Sequence, residues 1–596
     1  MTINTINIII INQDVNYERG RNMRFVLRYL KPFYVRMLLG LFIKVAGSVV
    51  ELALPFILSH ILKNVVVTKN LKNILLWGAV MVLCSLTALF CNIVANRMAA
   101  RVARNFSQNV RQDLFDRTMR LSAAQTDRFT IPSLESRITT DTYNLHHFVG
   151  MMQRMGVRAP ILLVGGIIIT LIMDSYLALA MIVILPILFC TVMFISKKGV
   201  PLYGKVQRSV DGMIRVVRED TQGIRVIKAL SKSQYEHKRY DKVNKLLVKN
   251  EKRAGMVMGL ANPVMTLCMN AGIVAVVAIS ASRVAGGQSD PETVIAFMQY
   301  FTLISMAMMT VTRIFMMYTK SSASARRIAE VINTPADLTV KSVDEYPDIK
   351  SEAHITFKNV GFSYFSDHKF IDDISFEIKK GGSLGIIGAT GSGKSTVISL
   401  LMRAYDVDKG AIYINGKDLR TYPEKQLHKM FGVAMQSDFI YSDTIEENIS
   451  FGRDLTHKQV VLAAKIAQAD QFITDFAEGY NYVLSQKGTN VSGGQRQRIL
   501  IARAIAANPD ILILDDSSSA LDYKTDAALR KALKQGLNGS TVVTVAQRVS
   551  SVKDCDLILV IENGKIIGKG SHEELLNTCP EYSEIEQSQM GGAIIE

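Results

Sequence analysis

Long apolar stretches dominate the first half of the chain. A helix needs roughly 20 mostly apolar residues to cross the hydrocarbon core of a bilayer. Six stretches before residue 320 satisfy this, and each is too long and too continuously apolar for a core helix of a soluble domain. They lie at about 38–62, 74–96, 151–173, 176–196, 256–281 and 292–318. The pattern predicts an all-α transmembrane domain over residues 23–325.

The connections between these stretches differ greatly in length. Short turns follow the first, third and fifth stretches, whereas the second-to-third and fourth-to-fifth connections each exceed 50 residues. The long connections are basic and have helical periodicity, which favours the cytoplasmic side and places the N-terminus there too. Helices that extend beyond the membrane can reach a soluble domain. We expect residues 132–142 and 219–230 to make that contact.

The pattern changes after the sixth stretch. Residues 326–351 lose apolar density and gain proline, serine and charge, as expected of a linker. From 352 to 590, short β-type runs alternate with helical stretches, which predicts an α/β domain. Residues 1–22 have no basic start and no cleavage-type site, so we predict a poorly ordered tail and no secretory signal.

Composition supports this division. A chain of 596 residues exceeds what one core organises, and 48% hydrophobic with 20% charged residues suits a protein that is part membrane-embedded and part soluble. The net charge of +16 is explained by basic loops next to a bilayer, so we predict no nucleic-acid partner. The six cysteines show no CxxC or ligand spacing, which indicates packing residues and no disulfide framework or zinc site.

A phosphate-binding loop follows the strand-like run SLGII. The string GATGSGKST fits the pattern GxxxxGKS/T, in which backbone N–H groups and a helix N-terminus surround phosphates. Lys394 is then predicted to contact the β- and γ-phosphates of ATP, and Ser395 to coordinate Mg²⁺. Downstream, the apolar run ILIL ends at Asp515, a second Mg²⁺ ligand. The predicted nucleotide-binding residues of the loop are Gly388, Ala389, Thr390, Gly391, Ser392, Gly393, Lys394, Ser395 and Thr396.

The stretch VSGGQRQR narrows the class of ATPase. Its Ser-Gly-Gly opens a helix about 20 residues before ILILD, and it resembles the signature sequence of ABC transporter ATPases. Nearly the whole chain resembles an ABC exporter half-transporter. The resemblance implies that ATP lies between the phosphate loop of one subunit and the signature of the other. It further implies an adenine-stacking Tyr364, a Mg²⁺-contacting Gln436, a D-loop at 519–522, and a signature formed by Ser492, Gly493, Gly494 and Gln495.

Two residues depart from the family pattern. Asp516 stands where the family usually has the glutamate that polarises the attacking water, and Gln547 stands where it has a histidine that contacts the γ-phosphate. Aspartate is one methylene shorter, and glutamine cannot become a cation. The stretch LSQKGTN before the signature also departs from the family form. We therefore predict that this chain's own site binds ATP but hydrolyses it weakly, as in the degenerate-site subunit of bacterial heterodimeric multidrug exporters.

The membrane half says less about the substrate. Glu51, inside the first stretch, is a functional candidate, although a packing contact or a place near the outer interface would also explain it. Arg313 fits the cytoplasmic membrane edge. Methionines are dense in the last two stretches, which suits either a cavity for varied hydrophobic ligands or plain helix packing.

The resemblance favours ATP-driven export of hydrophobic or amphipathic compounds across the plasma membrane of a bacterium, together with a second half-transporter. A lipid flippase, a peptide exporter, and a membrane sensor that binds ATP without transport stay open as alternatives. A siderophore importer of the same fold is more remote.

Overall fold

The computed structural model describes residues 23–286, 290–364, 370–436, 439–537 and 539–591. The predicted N-terminal tail, residues 1–22, lies outside this range. The chain divides into two compact units. One unit contains the residues up to Met119 together with Thr130–Thr334, and the other contains Arg120–Phe129 together with the residues from Pro335 onward.

The first unit consists of helices. Six of its helical segments are long and apolar enough to cross a membrane, as the sequence predicts. Two of the helices run for 48 residues each, so they continue without a break into the predicted long connections. The helices are α1 (23–30), α2 (Tyr34–His60), α3 (Leu71–Thr118), α5 (Ile131–Ser136), α6 (Thr142–Met173), α7 (Ser175–Gln222), α8 (Ile224–Ala229), α9 (Ser233–Gly259), α10 (Ala261–Ala285) and α11 (Pro291–Ile332). Tighter or wider helical turns occupy Lys31–Phe33, Ile61–Val65, Val66–Thr68 and Arg137–Asp141.

Glycines let these helices approach closely. A Cβ on Gly47 of α2 would lie 2.8 Å from the Cβ of Cys91 on α3, and one on Gly166 of α6 would lie 2.7 Å from Ile304 on α11. Helices in a membrane associate largely through such close packing, because lipid tails are as apolar as the side chains themselves. The two glycines therefore fix the α2–α3 and α6–α11 contacts.

A buried polar cluster joins α6 to α11. Asp141 is completely buried and accepts hydrogen bonds from the Ser324 hydroxyl at 2.8 Å and from Arg327 Nε at 2.6 Å. A second guanidinium nitrogen of Arg327 contacts the same carboxylate. Asn144 donates to Ser324 at 3.1 Å. Because a buried carboxylate is strongly unfavourable without a partner, this bidentate pair holds the two helices in one register.

The second unit is an α/β domain. Its strands are β1 (Ala353–Phe362), β2 (Ile371–Lys379), β3 (Ser383–Ile387), β4 (Lys409–Ile414), β5 (Lys417–Asp418), β6 (Phe431–Ala434), β7 (Ile511–Asp515), β8 (Thr541–Val545), β9 (Leu557–Glu562) and β10 (Lys565–Gly570). Its helices are α4 (Ala123–Phe129), α12 (Lys394–Leu401), α13 (Glu424–Lys429), α14 (Ile445–Ser450), α15 (His457–Ile466), α16 (Asp470–Thr474), α17 (Gly493–Ile505), α18 (Tyr523–Gly536), α19 (Val549–Val552), α20 (His572–Thr578) and α21 (Pro580–Gly591). Six apolar helices followed by an α/β domain confirm the predicted fold class.

The strands form two sheets. An antiparallel sheet has the order β2-β1-β4-β5, and a larger sheet has the order β10-β9-β3-β8-β7-β6. In the larger sheet β9, β3, β8, β7 and β6 are parallel. All five residues of β7 are buried, which explains why its sequence is continuously apolar up to the final aspartate. The carboxyl ends of β3, β8, β7 and β6 therefore meet along one edge.

Candidate functional site

The predicted nucleotide-site residues follow four neighbouring parallel strands. The phosphate loop follows β3, Gln547 follows β8, and Gln436 follows β6, while β7 ends at Asp515 and is followed directly by Asp516. Since these strands are adjacent in the sheet, their following residues come together at its edge. Gln436, Asp515, Asp516, Gln547 and six residues of the phosphate loop line a cavity of about 180 Å³. Three residues that the sequence analysis did not select, Phe370, Val545 and Ala546, also line it.

The phosphate loop has a backbone that only glycine adopts easily at three positions, Gly388, Gly391 and Gly393. Gly388 and Gly393 have φ of +154° and +105°, and a Cβ on Gly388 would lie 2.1 Å from the carbonyl oxygen of Ile561. Lys394 begins α12, and its Nζ donates to the carbonyls of Gly388 at 2.8 Å and Ala389 at 2.7 Å. Burial lowers the pKa of Lys394, while the nearby carboxylates of Asp516 and Asp515 act in the opposite direction. The lysine is thus folded back onto its own loop.

Asp515 and Ser395 bring two side-chain oxygen atoms next to each other. Asp515 is only 2% exposed, and its Oδ1 accepts a hydrogen bond from Ser395 Oγ at 3.3 Å. Burial raises the pKa of Asp515, whereas the bond from Ser395 lowers it. A carboxylate and a hydroxyl this close, at the mouth of a phosphate loop, are the oxygen donors that Mg²⁺ prefers beside bound phosphates. The residues present therefore fit a magnesium ion.

Asp516 receives two amide hydrogen bonds on one oxygen. Its Oδ2 accepts from Gln547 Nε2 at 2.9 Å and from Gln436 Nε2 at 3.1 Å. Its backbone N–H donates to Val545 at 2.9 Å, and its φ is +48°. The two residues that depart from the family pattern, Asp516 and Gln547, are therefore bonded to each other.

Tyr364 belongs to an aromatic cluster beside the loop. Its hydroxyl lies 3.2 Å from Thr396 Oγ1, and its ring meets those of Phe362, Phe370 and Tyr405 edge-on with centroids 4.9 to 5.2 Å apart. The ring is 36% exposed, so part of its surface is free for a stacking partner. Phe370 joins this cluster to the phosphate-loop cavity, and the sequence offers no signal for it beyond an aromatic residue just before a strand.

The signature residues form a helix start separate from that cavity. Ser492 Oγ accepts from the N–H of Gln495 at 3.2 Å, and Gln495 Oε1 accepts from the N–H of Ser492 at 2.9 Å, which is a capping box at the start of α17. A Cβ on Gly494 would lie 3.1 Å from the carbonyl of Ala520, in the predicted D-loop. Among the described residues, the lining of the phosphate-loop cavity includes none of Ser492, Gly493, Gly494 and Gln495.

Helix α4 belongs to the ATPase unit although its neighbours in sequence belong to the helical unit. Tyr405 donates a hydrogen bond to Asp127 at 2.7 Å, Gln125 donates to the carbonyl of Pro335 at 2.7 Å, and Ser122 donates to Asp337 at 2.6 Å. Residues 132–142, which the sequence analysis selects for a contact with the ATPase domain, belong to the helical unit, and that contact stays a prediction. The sequence of α4 is short, and its pattern gives no sign of these three hydrogen bonds.

The membrane candidates lie in different environments. Glu51 accepts two hydrogen bonds from Arg158 on α6, one from Nε at 3.1 Å and one from Nη2. Glu51 also lines a cavity of about 470 Å³ together with Met298. Arg313 is exposed on α11.

The fold and the site define a membrane transporter with its own ATP-binding domain. Two family models match the chain: the ABC transporter transmembrane region over residues 37–308, and ABC transporter over residues 371–519. The chain is 33% identical to the uncharacterized ABC transporter ATP-binding protein MT1311 of Mycobacterium tuberculosis, over 95% of this chain and 98% of the relative. It is 32% identical to the uncharacterized ABC transporter ATP-binding protein YfiB of Bacillus subtilis, over 96% and 99%.

A solved structure has the same fold. The structure of a bacterial Atm1-family ABC exporter with ATP bound superposes with a TM-score of 0.78 at 23% identity, covering 93% of this chain and 98% of that one. This chain belongs to the ABC transporter family. It is a multi-pass membrane protein, an exporter-type half-transporter in which a transmembrane region is fused to an ATP-binding domain, and it is an ATPase coupled to transport.

Proposed function

We propose that this chain is one half of a heterodimeric exporter of hydrophobic or amphipathic compounds, and that its own nucleotide site binds ATP but hydrolyses it slowly. One observation carries the proposal: a single oxygen of Asp516 is hydrogen-bonded to two neutral amides, those of Gln547 and Gln436. The residue at the position of the water-polarising base is therefore short, and one of its oxygens is already engaged.

The chemistry of these side chains supports slow hydrolysis. Aspartate reaches less far than glutamate, and a misplacement of about 1 Å can cost on the order of 100-fold in rate. The Gln547 amide donates hydrogen bonds but stays neutral, so it stabilises charge developing on a transferring phosphoryl group less than an imidazolium would. The departures at Asp516 and Gln547 leave the residues for ATP binding intact, because Lys394, Ser395 and Asp515 all line the phosphate-loop cavity. A bound Mg²⁺, held by Ser395 and Asp515, would neutralise phosphate charge there.

The position of the signature supports a second subunit. Ser492 to Gln495 are formed and capped, yet they do not line the phosphate-loop cavity in the part of the chain that the structure describes. The signature of this chain is intact and would act on the ATP held by another subunit, whereas the chain's own site is weakened. This combination favours a partner subunit that has both the catalytic glutamate and the histidine. We infer that hydrolysis takes place mainly at the site built from the partner's loop and this chain's signature.

The helical unit supports an apolar or amphipathic substrate. The cavity next to Glu51 is lined mainly by apolar side chains from three helices, including Leu54 on α2, Ile273 on α10 and Met298 on α11. Such a lining buries apolar ligand surface away from water. It can accommodate ligands of different shapes, because the methionine side chain is flexible. The basic long connections further support a cytoplasmic ATPase domain and N-terminus in a bacterial plasma membrane.

The proposal is tested by restoring the family's catalytic pair. The full chain in lipid nanodiscs is compared with the double variant Asp516→Glu/Gln547→His and with a triple variant that adds Lys394→Ala. We expect the wild type to bind ATP with slow turnover, and the double variant to turn over at least about 10-fold faster, because the longer carboxylate repositions the water. The added Lys394→Ala should abolish the gain.

The partner is tested separately by affinity purification of the tagged chain from its own host. We expect a second half-transporter with glutamate and histidine at the corresponding positions to co-purify. A stable homodimer of the wild-type chain with turnover equal to that of the double variant would contradict both the weak site and the heterodimer.

A further inference from the structure

Helix α21 shares a hydrophobic cluster with residues at the carboxyl ends of β3 and β8. Its Tyr582 is completely buried and belongs to this cluster together with Ile387 and Ala546. Ile387 directly precedes the phosphate loop, and Ala546 directly precedes Gln547. Helix α21 therefore supports the positions from which both segments of the nucleotide site start.

The face of α21 that carries Tyr582 continues to Gln589. Positions 582, 585 and 589 follow the spacing of three and four residues that places side chains on one face of a helix. Ile585 packs against the same hydrophobic cluster as Tyr582. Gln589 lies about two turns beyond Tyr582 on this face. The packing of α21 therefore brings a side-chain amide to the segment that follows β8.

The Gln589 side chain bridges the backbone of that segment. Its Nε2 donates to the carbonyl of Gln547 at 2.9 Å, and its Oε1 accepts from the N–H of Val549 at 2.9 Å. Val549 begins α19, and the first N–H groups of a helix have no partner within it. Arg548, the residue before the helix, makes no capping hydrogen bond with its side chain. Gln589 thus supplies the cap that the segment itself lacks.

Gln547 is held both by its backbone and by its side chain. Its carbonyl accepts from Gln589, and its side-chain amide donates to Asp516 Oδ2 at 2.9 Å. We infer that Gln589 is a positioning residue for ATP hydrolysis, which fixes the Gln547 backbone so that the Gln547 amide reaches Asp516. Gln589 acts through Gln547, since in the described structure it does not line the phosphate-loop cavity. The inference concerns the ATPase activity itself and does not depend on the proposed weak hydrolysis.

The bridge is tested by hydrogen exchange of the full chain in lipid nanodiscs. Gln589→Ala removes both hydrogen bonds, so we expect the segment 546–552 to exchange at least about 5-fold faster than in the wild type. Gln587→Ala is the matched control, because Gln587 is an exposed glutamine of the same helix, and exchange there should equal that of the wild type. Exchange in Gln589→Ala as slow as in the wild type would overturn the bridge.

The role in hydrolysis is tested by single-turnover kinetics at increasing protein concentration, which separate the maximal rate from the apparent affinity for ATP. Gln589→Ala should lower the maximal rate about 5-fold and leave the affinity within about 2-fold, because the phosphate loop is unchanged. Gln589→Glu still accepts from Val549 but cannot donate to Gln547. We therefore expect it to keep slow exchange in 546–552 and to lose the same rate. A wild-type rate in Gln589→Glu would overturn the role of the bond to Gln547.

A second background separates positioning from a general structural effect. Gln547→Ala removes the side chain that Gln589 positions, so adding Gln589→Ala to it should change the maximal rate by less than about 1.5-fold. An equal loss of rate in both backgrounds, or a large loss of ATP affinity in Gln589→Ala, would overturn the positioning role. A fast wild-type rate would contradict the weak hydrolysis of the proposed function, and the comparison between these variants would still decide the role of Gln589.

Discussion

Replacing Tyr405 by phenylalanine should weaken the attachment of α4 to the rest of the ATPase unit. The Tyr405 hydroxyl donates to Asp127 of α4 at 2.7 Å, and its ring meets Tyr364 with centroids 5.2 Å apart. Helix α4 is continuous in sequence with α3 and α5, which belong to the helical unit. The aromatic cluster beside the phosphate loop is thus in direct contact with a segment that leads into the membrane helices. Tyr405→Phe removes the hydroxyl and keeps the ring.

The size of the effect follows from the environment of this bond. A hydrogen bond to a charged group contributes about 1.5–3 kcal/mol. Asp127 is exposed, so water competes for it and we expect about 1 kcal/mol. Since 1.4 kcal/mol corresponds to tenfold, this predicts a coupling loss of roughly 5-fold. Burial and then the bond to Asp127 raise the pKa of Tyr405, so its hydroxyl stays a donor at any physiological pH.

The assay measures dye transported per ATP hydrolysed in proteoliposomes, with ATP binding as a second readout. We expect transport per ATP to fall roughly 5-fold in Tyr405→Phe while ATP affinity stays within about 2-fold of wild type, because the Tyr364 contact is kept. Tyr422→Phe is the matched control, since Tyr422 is a buried tyrosine of the same domain that donates to the carbonyl of Ile414 at 2.8 Å. Unchanged coupling in Tyr405→Phe, or an equal loss in Tyr422→Phe, would refute this reasoning.

Two further predictions concern the signature and the helical unit. Ser492→Ala should destabilise the start of α17 by about 1 kcal/mol and lower ATP turnover at the partner's site, measured in the assembled transporter. Ser492→Asp should keep the cap and still lower turnover, because its charge repels phosphate; full activity in both variants would argue against a phosphate role. Arg327→Met leaves the buried Asp141 without its cation and should destabilise the chain by about 1.5–3 kcal/mol, less than for a fully buried pair because the Arg327 side chain is 47% exposed; this is seen as faster thermal inactivation. Asp141→Asn/Arg327→Met should recover most of that loss, and equal inactivation of the two variants would contradict the charge argument.

The sequence predicted the membrane segments and the α/β domain because each rests on a strong local pattern. Six apolar stretches of sufficient length specify six spans, and the order strand, glycine loop, helix specifies a phosphate loop. The positions at which the helices end were harder to predict from the sequence. Helix α3 continues to Thr118, far past its apolar part, because outside the bilayer a helix is stabilised by tertiary packing of scattered side chains rather than by continuous hydrophobicity.

Contacts between distant segments were the least predictable part of the site. The sequence identified Gln436, Asp516 and Gln547 separately, but their convergence on one carboxylate oxygen depends on β6, β7 and β8 being neighbours in the sheet. The contact of Asp127 with Tyr405 joins residues that are 278 positions apart. No local pattern encodes such a pairing, because side chains on two separate folded surfaces determine it together.

The backbone at Asp516 bears on how this site evolves. Its φ of +48° lies in the left-handed region, where aspartate is tolerated far better than residues with longer side chains. The backbone conformation of this turn therefore favours aspartate, which also accepts hydrogen bonds from Gln547 and Gln436. A change of Asp516 alone would disturb the bonds that Gln547 and Gln436 make to it, and a change of Gln547 alone would leave Asp516 with one amide partner fewer. The two positions are therefore expected to change together, so that one catalytic arrangement is converted into the other only by a double substitution.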